Sequence, residues 1–152
     1  MRNFYLRTDI KTIIYGITRV GLGIYLLSHA AMAFMDFDQF MATALSYFPE
    51  DSGLSFLAYL TPIVPFMEFF LAVMILAGIY TKLALKWAIG IGIFFTVFFH
   101  YTGDLDGALT HSYSLLVKIF LLFTIFYNKF SLDYYNMWKV SQESSESHSH
   151  LL

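Results

Sequence analysis

The chain has 152 residues, of which 58% are hydrophobic, 20% aromatic and 13% charged, with a formal net charge of −2. Soluble domains average about 45–50% apolar and about 25% charged residues, so this is the composition of a membrane protein, and the lack of basic charge argues against nucleic acid as a ligand. With no cysteine, the chain cannot host a thiol relay, an iron–sulfur cluster, a zinc–thiolate site or thioether-linked haem; any redox role needs a bound cofactor or a partner.

A helix crosses a bilayer with about 20 apolar residues, and four stretches qualify: 13–35, 61–80, 83–101 and 111–127. Residues 1–12 read as a cytoplasmic segment. The first stretch follows Arg2, Arg7 and Lys11 but is too long for the h-region of a signal peptide, and "LLSHAAMAFMDF" offers no cleavage site. It reads as a retained span. Residues 36–60 form a long outer connection in which "FDQFMATALSYF" spaces Phe37, Phe40, Met41, Ala44 and Phe48 as a helix lying in the interface would.

The second span has two readings. Thr61 and Pro62 resemble an N-cap and first helical position, which makes "LSFLAYL" a separate interfacial helix. The other reading is one longer helix kinked at Pro62 and Pro65. Between the third and fourth spans, "HYTGDLDGALTH" reads as a turn in which Gly103 and Gly107 make the reversal, His100 caps at the interface and His111 enters the fourth helix. Residues 128–140 are rich in Tyr and Trp, as at a headgroup layer. Residues 141–152 read as a disordered cytoplasmic tail in which His148 and His150 are solvated.

Lysines and arginines lie before the first span, at the 82–86 turn and after the fourth span, while the other two connections carry only acids. By the positive-inside rule both termini are cytoplasmic. The expected fold is an all-α membrane protein, four transmembrane helices in an up-down-up-down antiparallel bundle, in the cytoplasmic membrane. Gly16, Gly21 and Gly23 in the first span, and Gly90 and Gly92 in the third, either permit close helix approach or are ordinary membrane-helix glycines.

Arg19, His29, Glu68 and Lys118 lie inside the spans, where an ionisable residue costs about 2.5–3.5 kcal/mol on insertion scales. Helical rise places His29 and Lys118 each about 9–10 Å below the outer ends of their spans, with Glu68 at a similar or greater depth. His111, Ser114 and Lys118 share one face of the fourth helix. Tyr25 and Tyr101 are further donors near that level. The pattern suits an outer pocket in which Glu68 and His29 act on a proton and His111, Ser114 and Lys118 help to hold a quinone headgroup. It also suits a non-catalytic assembly or anchoring subunit of a membrane complex, in which a Glu68–Lys118 ion pair only orders the helices; a small transporter has less support, since four spans with few polar groups outline no continuous path. Arg19 is expected to snorkel toward headgroups. His29, Met32 and Met35 offer a weaker case for copper, and the histidines of separate helices for haem.

Several segments resemble the DoxX family: "YGITRVGLGIYLLSHAAMAF" its first helix, "PFMEFFLAVMILAGIYTKLALKWA" its Pro-x-x-Glu helix with a Gly and a Thr-Lys turn, and "YNKFSLDYY" its Ser-Leu-Asp ending. Pro65, Glu68, Gly78, Thr81 and Lys82 carry most of the likeness. His29 stands near the place where that family often has a lysine. The resemblance implies a four-helix protein of a prokaryotic cytoplasmic membrane that serves a quinone-linked redox complex, with Arg19 and Glu68 as its polar positions and other subunits of that complex as partners.

Overall fold

The computed structural model describes residues 9–48 and 55–137, and no strand occurs among them. Arg2, Arg7, Glu50, Asp51 and the 138–152 segment lie outside the described residues. Helix α1, Ile10–Met35, starts a turn earlier than its apolar run because Asp9 is its N-cap and accepts from the Lys11 N–H. Helix α2, Phe37–Ser46, follows after one residue, with Asp36 serving both as the C-cap of α1 and as the N-cap of α2.

The second span resolves in favour of one continuous element. A 3-10 helix over Ser55–Ile63 runs directly into α3, Val64–Ala77. Thr61 is therefore not the N-cap: it is buried within the 3-10 turn, and Ile63 takes the cap position without a side-chain bond. Pro65 sits in the first turn of α3, where a missing N–H costs nothing because the first four have no partner inside the helix. The α3 helix ends at Gly78, whose φ of +68° is left-handed.

Helix α4, Thr81–Thr102, and helix α5, Leu105–Phe123, are separated by only two residues. The turn is therefore much tighter than the twelve-residue stretch suggests. Gly103, at φ +81°, makes the reversal. Gly107 lies in the first turn of α5, where its N–H donates to the N-cap carboxylate of Asp104 at 2.9 Å. A Cβ at Gly107 would stand 2.6 Å from Asp104 Oδ2, so the glycine is there to bring the cap close.

The helices pack mainly as two antiparallel pairs, α1 against α3 and α4 against α5. The shared core contains Tyr15, Leu22 and Leu26 from α1, Leu71 and Ile75 from α3, Leu85 from α4 and Leu121 from α5. Among the described residues, three elements are long and apolar enough to cross a membrane: Ile10–Met35, Ser55–Ala77 and Thr81–Thr102. The chain is thus a multi-pass membrane protein. Helix α5 falls outside that group, since its first half carries Asp106, Thr110, His111, Ser112 and Ser114.

The end of the bundle near the α3–α4 turn is closed by a polar clamp. Arg19 is only 4% exposed and does not snorkel. Its guanidinium donates to the carbonyls of Ile75 at 2.6 Å, Leu76 at 3.1 Å and Phe130 at 2.7 Å. Ile75 and Leu76 belong to the last turn of α3, whose carbonyls lack helical partners; the arginine satisfies them and ties in the chain beyond α5. Asp133 completes the clamp by accepting from the N–H groups of Tyr80 and Thr81 at 2.6 and 2.7 Å. It caps α4 from a distant part of the chain, and Tyr80 can then hold its left-handed φ of 46°.

Candidate functional site

At the opposite end, near the α4–α5 turn, three helices bring three ionisable side chains together. Glu68 projects from the second turn of α3 and is buried. Its Oε2 lies 2.6 Å from His29 Nδ1 on α1. The histidine's side chain is 44% exposed against 10% for the glutamate, so His29 is the member of the pair that is presented and Glu68 the one that is packed. An ionised carboxylate only accepts, and a histidine whose Nδ1 donates to it keeps Nε2 as a hydrogen-bond acceptor.

His111 approaches from α5. Its ring meets the His29 ring edge-on, with centroids 6.4 Å apart, and stacks on Phe95 and Phe99 of α4 at 5.1 Å each. The i, i+4 spacing of the two phenylalanines puts both rings on one face of α4.

His29, Glu68 and His111 open on a cavity of about 320 Å³. Phe98 and Phe99 form one wall, and Phe40, Thr43 and Ala44 of α2 form another. Tyr47, just past α2, lines it too and donates to Asp104 Oδ2 at 2.7 Å, joining the α2 segment to the α4–α5 turn. Such a volume is at the lower end for a small-molecule site, and the mixture of aromatic walls with a few convergent polar groups is usual for one.

Other residues expected at the site stand elsewhere. Lys118 is buried behind the cavity, donates to Ser114 Oγ at 3.3 Å and lies against Gly92. Among the described residues no carboxylate is within ion-pair distance of it, so Glu68 takes the histidine and not the lysine. Ser114 faces Lys118 and is not part of the cavity wall. Arg19 belongs to the clamp at the far end. Met32 and Met35 are 61% and 87% exposed, and among the described residues no cluster of three His, Cys, Asp or Glu side chains placed to hold a metal forms. His100 is exposed, and only its backbone carbonyl caps the turn. Sequence reasoning missed Phe95, Phe99, Tyr47 and Asp104. The aromatic spacing on α4 was visible, but nothing in it named His111 as the ring the phenylalanines would hold.

A family model described as methylamine utilisation protein MauE matches residues 11–103. The chain belongs to the MauE family. The match covers α1 through α4 and so includes His29 and Glu68, while His111, Ser114 and Lys118 lie beyond it. It replaces the DoxX resemblance. The residues that carried that likeness are mostly demanded by helix ends in any such bundle: Pro65 suits a first helical turn, Gly78 supplies a left-handed C-cap, and Thr81 and Lys82 open the next helix. They describe a helix–turn–helix more than they distinguish one family from another. No curated protein and no solved structure matches the chain.

Proposed function

We propose that this MauE-family chain is an accessory protein of a membrane redox system in a prokaryotic cytoplasmic membrane, and that its cavity binds the headgroup of a quinol. The observation that carries this reading is the 2.6 Å His29–Glu68 pair opening on a cavity whose walls include the rings of Phe40, Tyr47, Phe95, Phe98 and Phe99. The family's name ties it to methylamine utilisation, a redox-related system. A cysteine-free chain has no thiol to carry electrons, so its own residues bind the quinol and take up a hydroxyl proton, and the two electrons of any oxidation require a redox centre carried by a partner protein. The chain handles the proton: His29 accepts it from a quinol hydroxyl at Nε2, Glu68 balances the resulting charge, and His111 offers a hydrogen bond to the ring's other oxygen.

Helix α5 lies antiparallel along α4 over its length and serves as the fourth crossing. Lys82, Lys86 and Lys129 lie at the clamp end and no described Lys or Arg lies in the two connections at the cavity end, a distribution that supports a clamp facing the cytoplasm and a cavity facing outward.

The test is purification in mild detergent with quinone extraction, followed by titration with a soluble quinone. The wild type binds, His29→Ala weakens binding at least tenfold, and Glu68→Gln weakens it several-fold. Should both variants bind as the wild type does, the cavity is not a quinone site. The polar interior is then a device for helix assembly, as the Arg19 clamp is at the other end.

A further inference from the structure

A second, larger cavity of about 580 Å³ runs between α3 and α4. Its walls are apolar except at Lys86, which stands beside Trp87 at the end nearer the clamp. Along α4 it extends from Phe95 to Leu83, about 18 Å at the rise of a helix. Val64 and Phe95 line both this groove and the His29–Glu68 cavity. The two cavities therefore adjoin at these side chains, and a ligand whose ring sits at His29 reaches the groove along α4 by passing between Val64 and Phe95.

We infer that the α3–α4 groove seats the isoprenoid or alkyl tail of the quinone whose ring occupies the His29–Glu68 cavity. This rests on the headgroup reading above and adds that the ligand is a tailed, membrane-borne quinone, held by its tail as well as its ring. Two observations favour a tail over a partner's helix. The groove adjoins the polar cavity at Val64 and Phe95, and Gly90 leaves room midway along its wall. A Cβ at Gly90 would meet no atom within 4 Å, so a slender chain can lie against the α4 backbone there. Gly21 on α1 is equally free of neighbours but borders neither the groove nor the polar cavity, and it supplies the control.

The experiment measures Kd for two probes, decylubiquinone and the tail-less ubiquinone-0, with the full chain in lipid nanodiscs. The wild type binds the decyl compound more tightly. Gly90→Leu fills the groove and raises the decyl Kd tenfold or more, leaving the tail-less Kd within twofold, and Gly21→Leu changes neither. If Gly90→Leu leaves the decyl Kd unchanged while both probes still bind, the tail lies elsewhere and the inference falls with the headgroup reading intact. Loss of a copurifying protein from Gly90→Leu with unchanged decyl affinity assigns the groove to a partner helix and also overturns the inference. If the wild type binds neither probe, the headgroup reading itself fails.

A measurement on the native groove guards against a variant that does not fold. The chain has two tryptophans, so Trp138→Phe leaves Trp87 as the sole reporter. A decyl tail with a terminal bromine quenches Trp87 emission beyond the bromine-free compound, saturating at one equivalent. Equal quenching by the two compounds overturns the inference.

Discussion

Tyr47 Oη donates to Asp104 Oδ2 across 2.7 Å, and that bond holds the α2 segment over the cavity by tying it to the α4–α5 turn. The Gly107 N–H, followed by the Tyr47 hydroxyl, holds the Asp104 carboxyl below the usual carboxylate range. The same bond, reinforced by partial burial, pushes the Tyr47 hydroxyl up. A depressed acid stabilises the fold above its ordinary pKa of about 3.9 and loses that contribution as pH falls through its lower folded value. A raised phenol contributes fully below about 10 and loses its contribution as pH rises through its folded value. The cover is therefore expected to stay tied between about pH 4 and pH 10 and to loosen outside that window. Hydrogen exchange over residues 37–48, normalised at each pH to an unstructured peptide, checks this. Tyr47→Phe should show the loosened exchange already at pH 7, and unchanged protection in that variant would remove the tie from the account.

Arg19 gives a contrasting prediction at the other end. It satisfies three carbonyls from two separate segments, and a bond from a charged donor contributes about 1.5–3 kcal/mol. Arg19→Met strands those carbonyls and should destabilise the protein by about 2–4 kcal/mol. Arg19→Lys should recover little, because one ammonium cannot reproduce the planar fork that reaches Ile75 and Phe130 together. Denaturation in detergent measures both. The quinone Kd of whatever remains folded should match the wild type, since Arg19 takes no part in the cavity; a selective loss of binding would place Arg19 in the site after all.

The helical, membrane-embedded character of the chain was legible because long apolar runs and sparse charge report the solvent directly. Single-residue roles were less so. The charges at Arg19, Glu68 and Lys118 looked alike in sequence, each an ionisable group in an apolar run, yet one clamps a helix end, one meets a histidine and one is buried against Ser114. Which partner each finds depends on helix rotation and depth, and neither is written in the identity of the residue. The second span was ambiguous for a local reason: Thr61-Pro62 satisfies the rules for a helix start, and only the 3-10 geometry leading into Val64 shows that the chain was already turning. The Asp133 cap of α4 was out of reach, because local capping rules look to preceding residues and this carboxylate comes from about fifty residues later.

The glycines divide in a way that sequence could not show. At Gly23 a Cβ would stand 2.5 Å from Leu76 Cγ and 3.2 Å from the Leu76 backbone nitrogen, so α1 and α3 meet through this residue. At Gly21 it would meet nothing. Gly23→Ala should therefore cost about 1–3 kcal/mol, the usual penalty of overpacking. Gly21→Ala should be neutral or slightly stabilising, since Ala exceeds Gly in helix propensity by up to about 1 kcal/mol. Parallel denaturation of the two variants decides the matter, and equal effects would mean that α1 and α3 do not meet at Gly23.

The His29–Glu68 pair supports a thermodynamic cycle independent of any ligand. Glu68 is 8% exposed, and its one ion pair among the described residues is with His29. Removing the histidine leaves a packed carboxylate without that partner, and because the His29 side chain is 44% exposed the loss should fall below about 3–5 kcal/mol, the range for fully buried pairs. Converting the carboxylate to an amide removes the charge but keeps an acceptor for Nδ1, so Glu68→Gln should cost less than His29→Ala. With the charge already gone, the second substitution no longer strands it. The double variant should accordingly be more stable than His29→Ala alone, with a coupling of about 0.5–3 kcal/mol. Denaturation of the four proteins in one detergent measures the cycle. Strict additivity would mean that the two side chains are neighbours without interaction, leaving His29 unoriented and the proposed proton acceptor without the group that sets its tautomer.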